Sequence, residues 1–148
     1  MKTPRNLAFV ALVVFVISHF LPAYGGGSGF ACFAVCWDNL FGQDIEILSG
    51  AWFYYSGLAI SNILFIPLVT ALIATKKSRK LRLAASVVFF LHVLSWLLLH
   101  IFQQPPQVDE IKIGYYVWLI AFGLLVAAHL LKEPTQSVES VPLAHSVV

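Results

Sequence analysis

Lys76-Lys77-Ser78-Arg79-Lys80-Leu81-Arg82 holds five of the nine lysine and arginine residues in this 148-residue chain. Long uncharged runs lie on both sides of it. Residues 6–37, 47–75, 83–108 and 113–131 contain no Asp, Glu, Lys or Arg and are 32, 29, 26 and 19 residues long. A bilayer core needs roughly 20 apolar helical residues, so each run can supply one crossing. The expectation is an all-α protein, an integral membrane four-helix bundle. Its helices should cover about residues 6–22, 49–75, 83–102 and 114–131. The basic cluster then joins the second helix to the third.

The distribution of positive charge orients the bundle. Lys2 and Arg5 precede the first helix and Lys132 follows the fourth. With the cluster, that places eight basic residues on one side and only Lys112 on the other. Both termini are therefore expected in the cytoplasm, and the membrane is expected to be a bacterial inner (plasma) membrane. Composition agrees. Hydrophobic residues make up 59% of the chain and charged residues 11%, against about a quarter charged in soluble domains. A net charge of +2, with basic residues flanking apolar runs, excludes a nucleic-acid partner as the expectation. Lys2 to Ser18 also has the pattern of a signal peptide, but the apolar stretch continues through Phe20 and Leu21, which favours a retained helix.

Pro22 and then Gly25-Gly26-Gly27-Ser28-Gly29 should stop the first helix. The outer loop that follows holds both cysteines, and Phe30–Trp37 is apolar enough to lie at the interface. Trp52 to Tyr55 and Tyr115, Tyr116 and Trp118 read as aromatic anchors at the headgroup level. Gly57-x-x-x-Ser61 and Gly123-x-x-x-Ala127 are pairs of small residues that let helices approach closely. Asn62 is a packing polar group near mid-membrane, and Pro67 should loosen its helix. Residues 133–148 read as a flexible cytoplasmic tail.

Few residues carry chemistry. Cys32 and Cys36 share an outer loop, where an oxidising compartment favours a disulfide, although a Cys-x-x-x-Cys pair on a regular helix requires distortion to bond. The alternative is a redox pair exchanging electrons with a quinone. In helix number and orientation the chain resembles bacterial disulfide-generating membrane proteins. Those have Cys-x-x-Cys in one outer loop and a second cysteine pair in another, whereas here the spacing is longer and the second loop has no cysteine. His19, His92 and His100 are the residues a membrane haem would use, from facing helices. His92, Trp96 and His100 share one helix face. No Asp or Glu lies within a predicted helix, which argues against proton-coupled transport and against a buried catalytic triad. The resulting expectation is a non-enzymatic accessory, immunity-type or interaction subunit. It would need no cofactor or metal and would act in the bilayer with a membrane protein partner or a second copy of itself. The alternative is a membrane redox or haem-binding protein.

Overall fold

The computed structural model describes residues 4–42, 45–74, 79–102 and 108–131. Lys76, Lys77, Lys132 and the expected tail at 133–148 lie outside them. The fold is all-helical apart from one short hairpin. In chain order the elements are α1 (Pro4–Phe20), β1 (Pro22–Tyr24), β2 (Gly27–Ser28), α2 (Gly29–Leu40), α3 (Gly50–Ala74), α4 (Arg79–Phe102), a 3₁₀ turn (Val108–Glu110) and α5 (Ile113–Leu130). Three of them, α3, α4 and α5, are long and apolar enough to cross a membrane. α1 is equally apolar but shorter, at 17 residues, because the chain turns into β1 at Pro22 instead of continuing as a helix.

Three boundaries differ from the sequence expectation. α1 covers Pro4–Phe20, where residues 6–22 were expected. α4 begins at Arg79, inside the basic cluster, where residue 83 was expected. The reason is capping. The Arg79 guanidinium donates from Nε to the His129 carbonyl (3.0 Å) and from Nη2 to the Leu130 and Leu131 carbonyls (2.9 and 3.2 Å). Those carbonyls form the negative end of α5 and have no helical partners of their own, so a cation there is stabilising. The third difference is α2, a 12-residue helix in what the sequence presents as an interfacial loop.

The long helices share one core. It contains Ala8, Ala11 and Phe15 of α1, Phe65 and Val69 of α3, Val93 of α4, and Ala121, Phe122, Leu125 and Ala128 of α5. In lipid there is no hydrophobic driving force between helices, so close van der Waals contact must supply cohesion and small residues mark the seams. The seam between α1 and α5 follows this rule, with Ala8, Ala11, Ala121 and Ala128 all buried. Three phenyl rings then lock the core. Phe15 stacks on Phe65 at 4.1 Å and 6°, and Phe122 meets Phe65 edge-on at 4.9 Å. Each such pair contributes about 0.5–1.5 kcal/mol beyond its buried area. α1 is apolar on every side, so its sequence reveals no inward face; packing selects one.

Of the two small-residue pairs, the structure makes close use of one. A Cβ on Gly57 would lie 2.5 Å from Nε2 of His92, so the glycine is the seat of the His92 ring. Ser61 is fully buried one turn later and donates to the Gly57 carbonyl at 2.6 Å. Gly123 has only Phe90 nearby, at an ordinary 3.6 Å, and Ala127 is partly exposed. The tight contacts of α5 are made at Ala121 and Ala128 and, at its first turn, at Gly114.

Candidate functional site

On the side of the molecule opposite Arg79, a small cap is built from the glycine-rich run. Gly25 and Gly26 both have positive φ (55° and 91°), the left-handed conformation that a two-residue hairpin turn needs and that glycine adopts without a Cβ penalty. β1 and β2 pair across this turn. On the other edge of β1, Tyr24 bridges to Ile111, the Lys112 amide donates to the Ala23 carbonyl (2.9 Å) and the Gly25 amide to the Glu110 carbonyl (3.0 Å). The connection after α1 and the one before α5 are thus joined through the backbone. Ser28 then caps α2, its hydroxyl accepting from the Ala31 amide at 3.2 Å.

Two glycines clamp this cap onto the end of α1. A Cβ on Gly29 would lie 2.5 Å from the Ser18 carbonyl oxygen and 2.9 Å from the His19 Cα. A Cβ on Gly114 would lie 2.6 Å from the Pro22 oxygen and 2.8 Å from the Leu21 oxygen. At the far end of α2, the Trp52 indole donates to the Leu40 carbonyl at 3.1 Å, which fixes α2 to α3.

Beneath α2 and the hairpin lies a cavity of about 340 Å³. Its walls come from the hairpin and all five helices, among them His19 of α1, Cys32 and Cys36 of α2, Tyr55 and Asn62 of α3, Trp96 of α4 and Trp118 of α5. The Asn62–Trp118 pair marks its deep end, with the Trp118 indole donating to Asn62 Oδ1 (2.9 Å) while Asn62 Nδ2 donates to the Leu58 carbonyl (2.9 Å). Asn62 thus joins α3 to α5 through Oδ1, while its Nδ2 bonds back within α3. Among the described residues no Asp, Glu, Lys or Arg lines the cavity.

The expected aromatic anchors divide. Phe53 is exposed. Tyr54 turns inward, stacks on Trp96 at 5.5 Å and shares a hydrogen bond with Ser95 at 3.1 Å. Tyr55, Tyr115 and Trp118 line the cavity. Clustered Trp and Tyr look alike in sequence whether they mark a headgroup belt or a pocket wall.

Cys32 and Cys36 sit one turn apart on α2 and both are free thiols. Residues i and i+4 of a helix have Cβ atoms about 5–6 Å apart, whereas a disulfide needs roughly 3.5–4.5 Å, so the regular helix holds the expected bridge open. α2 lies outside the membrane-spanning segments. Burial pushes the Cys36 thiol up to about 12, with the nearby Cys32 adding to the effect. Burial raises Cys32 as well, opposed in part by a hydrogen bond with the Tyr24 backbone. The thiolate is the nucleophile in thiol chemistry, so burial works against reactivity at both positions.

The three histidines do not converge. His19 faces the cavity, with Nδ1 2.9 Å from the Phe15 carbonyl. His92 packs on Gly57 and Tyr54, and its Nε2 is 3.2 Å from the Tyr54 carbonyl. His100 uses both ring nitrogens, with the Trp96 carbonyl at 3.0 Å and the Tyr24 hydroxyl at 3.3 Å. The face carrying His92, Trp96 and His100 is thus spent on α3 and the cap. Among the described residues no group of three or more His, Cys, Asp or Glu side chains has the spacing to hold a metal ion. Sequence reasoning missed Tyr55 and Trp118 as pocket walls and Gly29 and Gly114 as clamps. Gly25-Gly26 flanked by Ala-Tyr and Gly-Ser was a readable hairpin signal.

Searches with protein-family models and against curated proteins and solved structures give no match, so the site is read from its own residues.

Proposed function

We propose that this chain is a four-helix integral membrane protein of a bacterial inner membrane, both termini cytoplasmic, acting as a non-catalytic accessory subunit that binds an apolar small molecule beneath its cap. One observation carries the binding role: the roofed cavity of about 340 Å³, with mostly apolar walls that include six Phe, Tyr and Trp side chains. That volume lies within the roughly 300–1,000 Å³ of small-molecule sites, which are mostly apolar with few polar groups. α1 is proposed as the fourth span. Its 17 residues meet the lower limit of about 17 for a crossing, and Phe9, Val13, Val16 and Ile17 point outward as lipid contact requires.

Two experiments test this reading. A reporter active only outside the cytoplasm, fused after Asp109, should be active, and one fused after Arg79 should be silent; the opposite pattern would end the proposed orientation. Purification in mild detergent should yield a colourless protein whose native mass spectrum contains a retained apolar molecule and a stoichiometric membrane partner. A chain recovered empty and alone would count against both the binding and the accessory roles.

A redox role ranks second, supported by the position of both cysteines on the cavity wall. It would require the two thiols to give up two electrons and two protons to an acceptor such as a quinone in the cavity. The raised thiol values and the helical spacing both oppose that step. A thiol count that falls from two to none when quinone is added would promote it, and a Soret band would promote haem instead.

A further inference from the structure

The polar groups of the cavity specify more than an apolar occupant. Most of them are already used. Ser18 donates to the Phe15 carbonyl at 2.6 Å, Tyr24 meets His100, Tyr115 donates to the Val93 carbonyl, and Asn62 and Trp118 satisfy each other. Besides the cysteine thiols, three side-chain nitrogen or oxygen groups of the lining residues make no hydrogen bond among the described residues: Nε2 of His19, the Tyr55 hydroxyl and the Trp96 indole N–H.

The His19 ring is fixed by its neighbour. A carbonyl only accepts, so the 2.9 Å contact with the Phe15 oxygen assigns the proton to Nδ1 and leaves Nε2 as an acceptor. The free set therefore consists of an acceptor at His19, a donor at Trp96, and a hydroxyl at Tyr55 that serves as either. An unpaired ionised head would be costly in so apolar a space, and among the described residues the lining has no Asp, Glu, Lys or Arg to pair with a carboxylate, phosphate or ammonium. A bare carbonyl or ether would leave His19 unmatched. A neutral hydroxyl donates and accepts at once.

Size and walls restrict the rest. A cavity of about 340 Å³ lies near the lower end of the range for small-molecule sites, which suits one ring with a short chain. Phe33, Tyr55, Trp96 and Trp118 provide aromatic faces for that ring. Ala31 and Val35 line the cavity and are also exposed, so a longer hydrocarbon tail has its exit along α2.

Resting on the binding role proposed above, we infer that the cavity is a site for an uncharged amphiphile with a hydroxyl-bearing ring, a phenol or cyclic alcohol with a hydrocarbon tail, its hydroxyl donating to His19 Nε2.

The test uses the full chain in lipid nanodiscs, with binding read from tryptophan emission and corrected for partition into the bilayer. The probes share one hexylbenzene body: 4-hexylphenol, 4-hexylanisole, 4-hexylbenzoate and 4-hexylbenzylammonium. The phenol should bind at least ten-fold more tightly than the anisole, and both ions more weakly than either. His19→Phe should erase the preference for phenol over anisole while anisole still binds. Ala31→Trp, which fills the cavity from an exposed position on α2, should abolish saturable binding of all four. Equal affinity for phenol and anisole would overturn the hydroxyl assignment and leave the apolar binding role standing. Saturable binding to neither would overturn both. Phenol binding unchanged in Ala31→Trp would place the ligand elsewhere and overturn this site.

Discussion

Gly114→Ala is expected to remove most of the folded species recovered in mild detergent. The new Cβ would enter between backbone atoms, 2.6 Å from the Pro22 oxygen and 2.8 Å from the Leu21 oxygen. Side-chain clashes relax by rotation, but these carbonyls are held in place. The Leu21 oxygen accepts from the Gly29 amide at 2.9 Å, and Pro22 belongs to β1. Relief requires α5 to move away from the end of α1, where the two helices share their alanine seam. Overpacking typically costs about 1–3 kcal/mol, and with backbone on both sides the cost should be at or above the upper end. That is a large share of a total stability of roughly 5–15 kcal/mol. Gly50→Ala is the control, because nothing lies within 4 Å of its added Cβ. Equal recovery of the two variants on size-exclusion chromatography would show that the cap does not clamp α1.

Gly57→Leu should come next, and it should separate clearly from Gly123→Leu although the two glycines occupy matching sequence patterns. At Gly57 the side chain would be driven into the His92 ring, whose Nε2 would lie 2.5 Å from the Cβ alone. Displacing that ring breaks its contact with the Tyr54 carbonyl and disturbs the stack of Tyr54 on Trp96. The loss should be about 3 kcal/mol and should reach the cavity wall through Trp96. At Gly123 the nearest atom is the edge of Phe90 at 3.6 Å, and the cost should stay within about 1 kcal/mol. Thermal unfolding followed by retention in detergent resolves the two. Matching losses would mean that the small-residue pattern, and not the particular contact, sets the packing.

The contrast between those glycines shows where sequence reasoning reached its limit. Gly57-x-x-x-Ser61 and Gly123-x-x-x-Ala127 are equivalent as patterns, and both are compatible with close packing. Which one is pressed against a neighbour depends on how each helix is rotated, and α1, α3 and α5 are too uniformly apolar for their sequences to fix a rotation. α2 was hidden for another reason. Twelve residues bounded by glycines are too short to stand out from an interfacial loop, and their helicity depends on the Ser28 cap and on packing against α3. Cys32 and Cys36 were recognised as the notable residues of that segment, but their shared helix, free thiols and shared cavity became visible only in three dimensions.

The sequence alone determined that this is a helical chain with apolar segments of membrane-spanning length, because long uncharged runs and a concentrated basic cluster are local properties that partition directly between lipid and water. It also singled out the cysteine pair, the histidines and Asn62 as the unusual groups in an apolar setting. Only the tertiary structure decided what those groups face. The cavity is assembled from α1, α2, α3, α4 and α5 and a hairpin, and its walls meet across separations such as Asn62 to Trp118, 56 residues apart. Contacts of that kind follow from helix rotation and from backbone clamps at Gly29 and Gly114. Both are set by steric fit between segments distant in the chain, which no local pattern encodes.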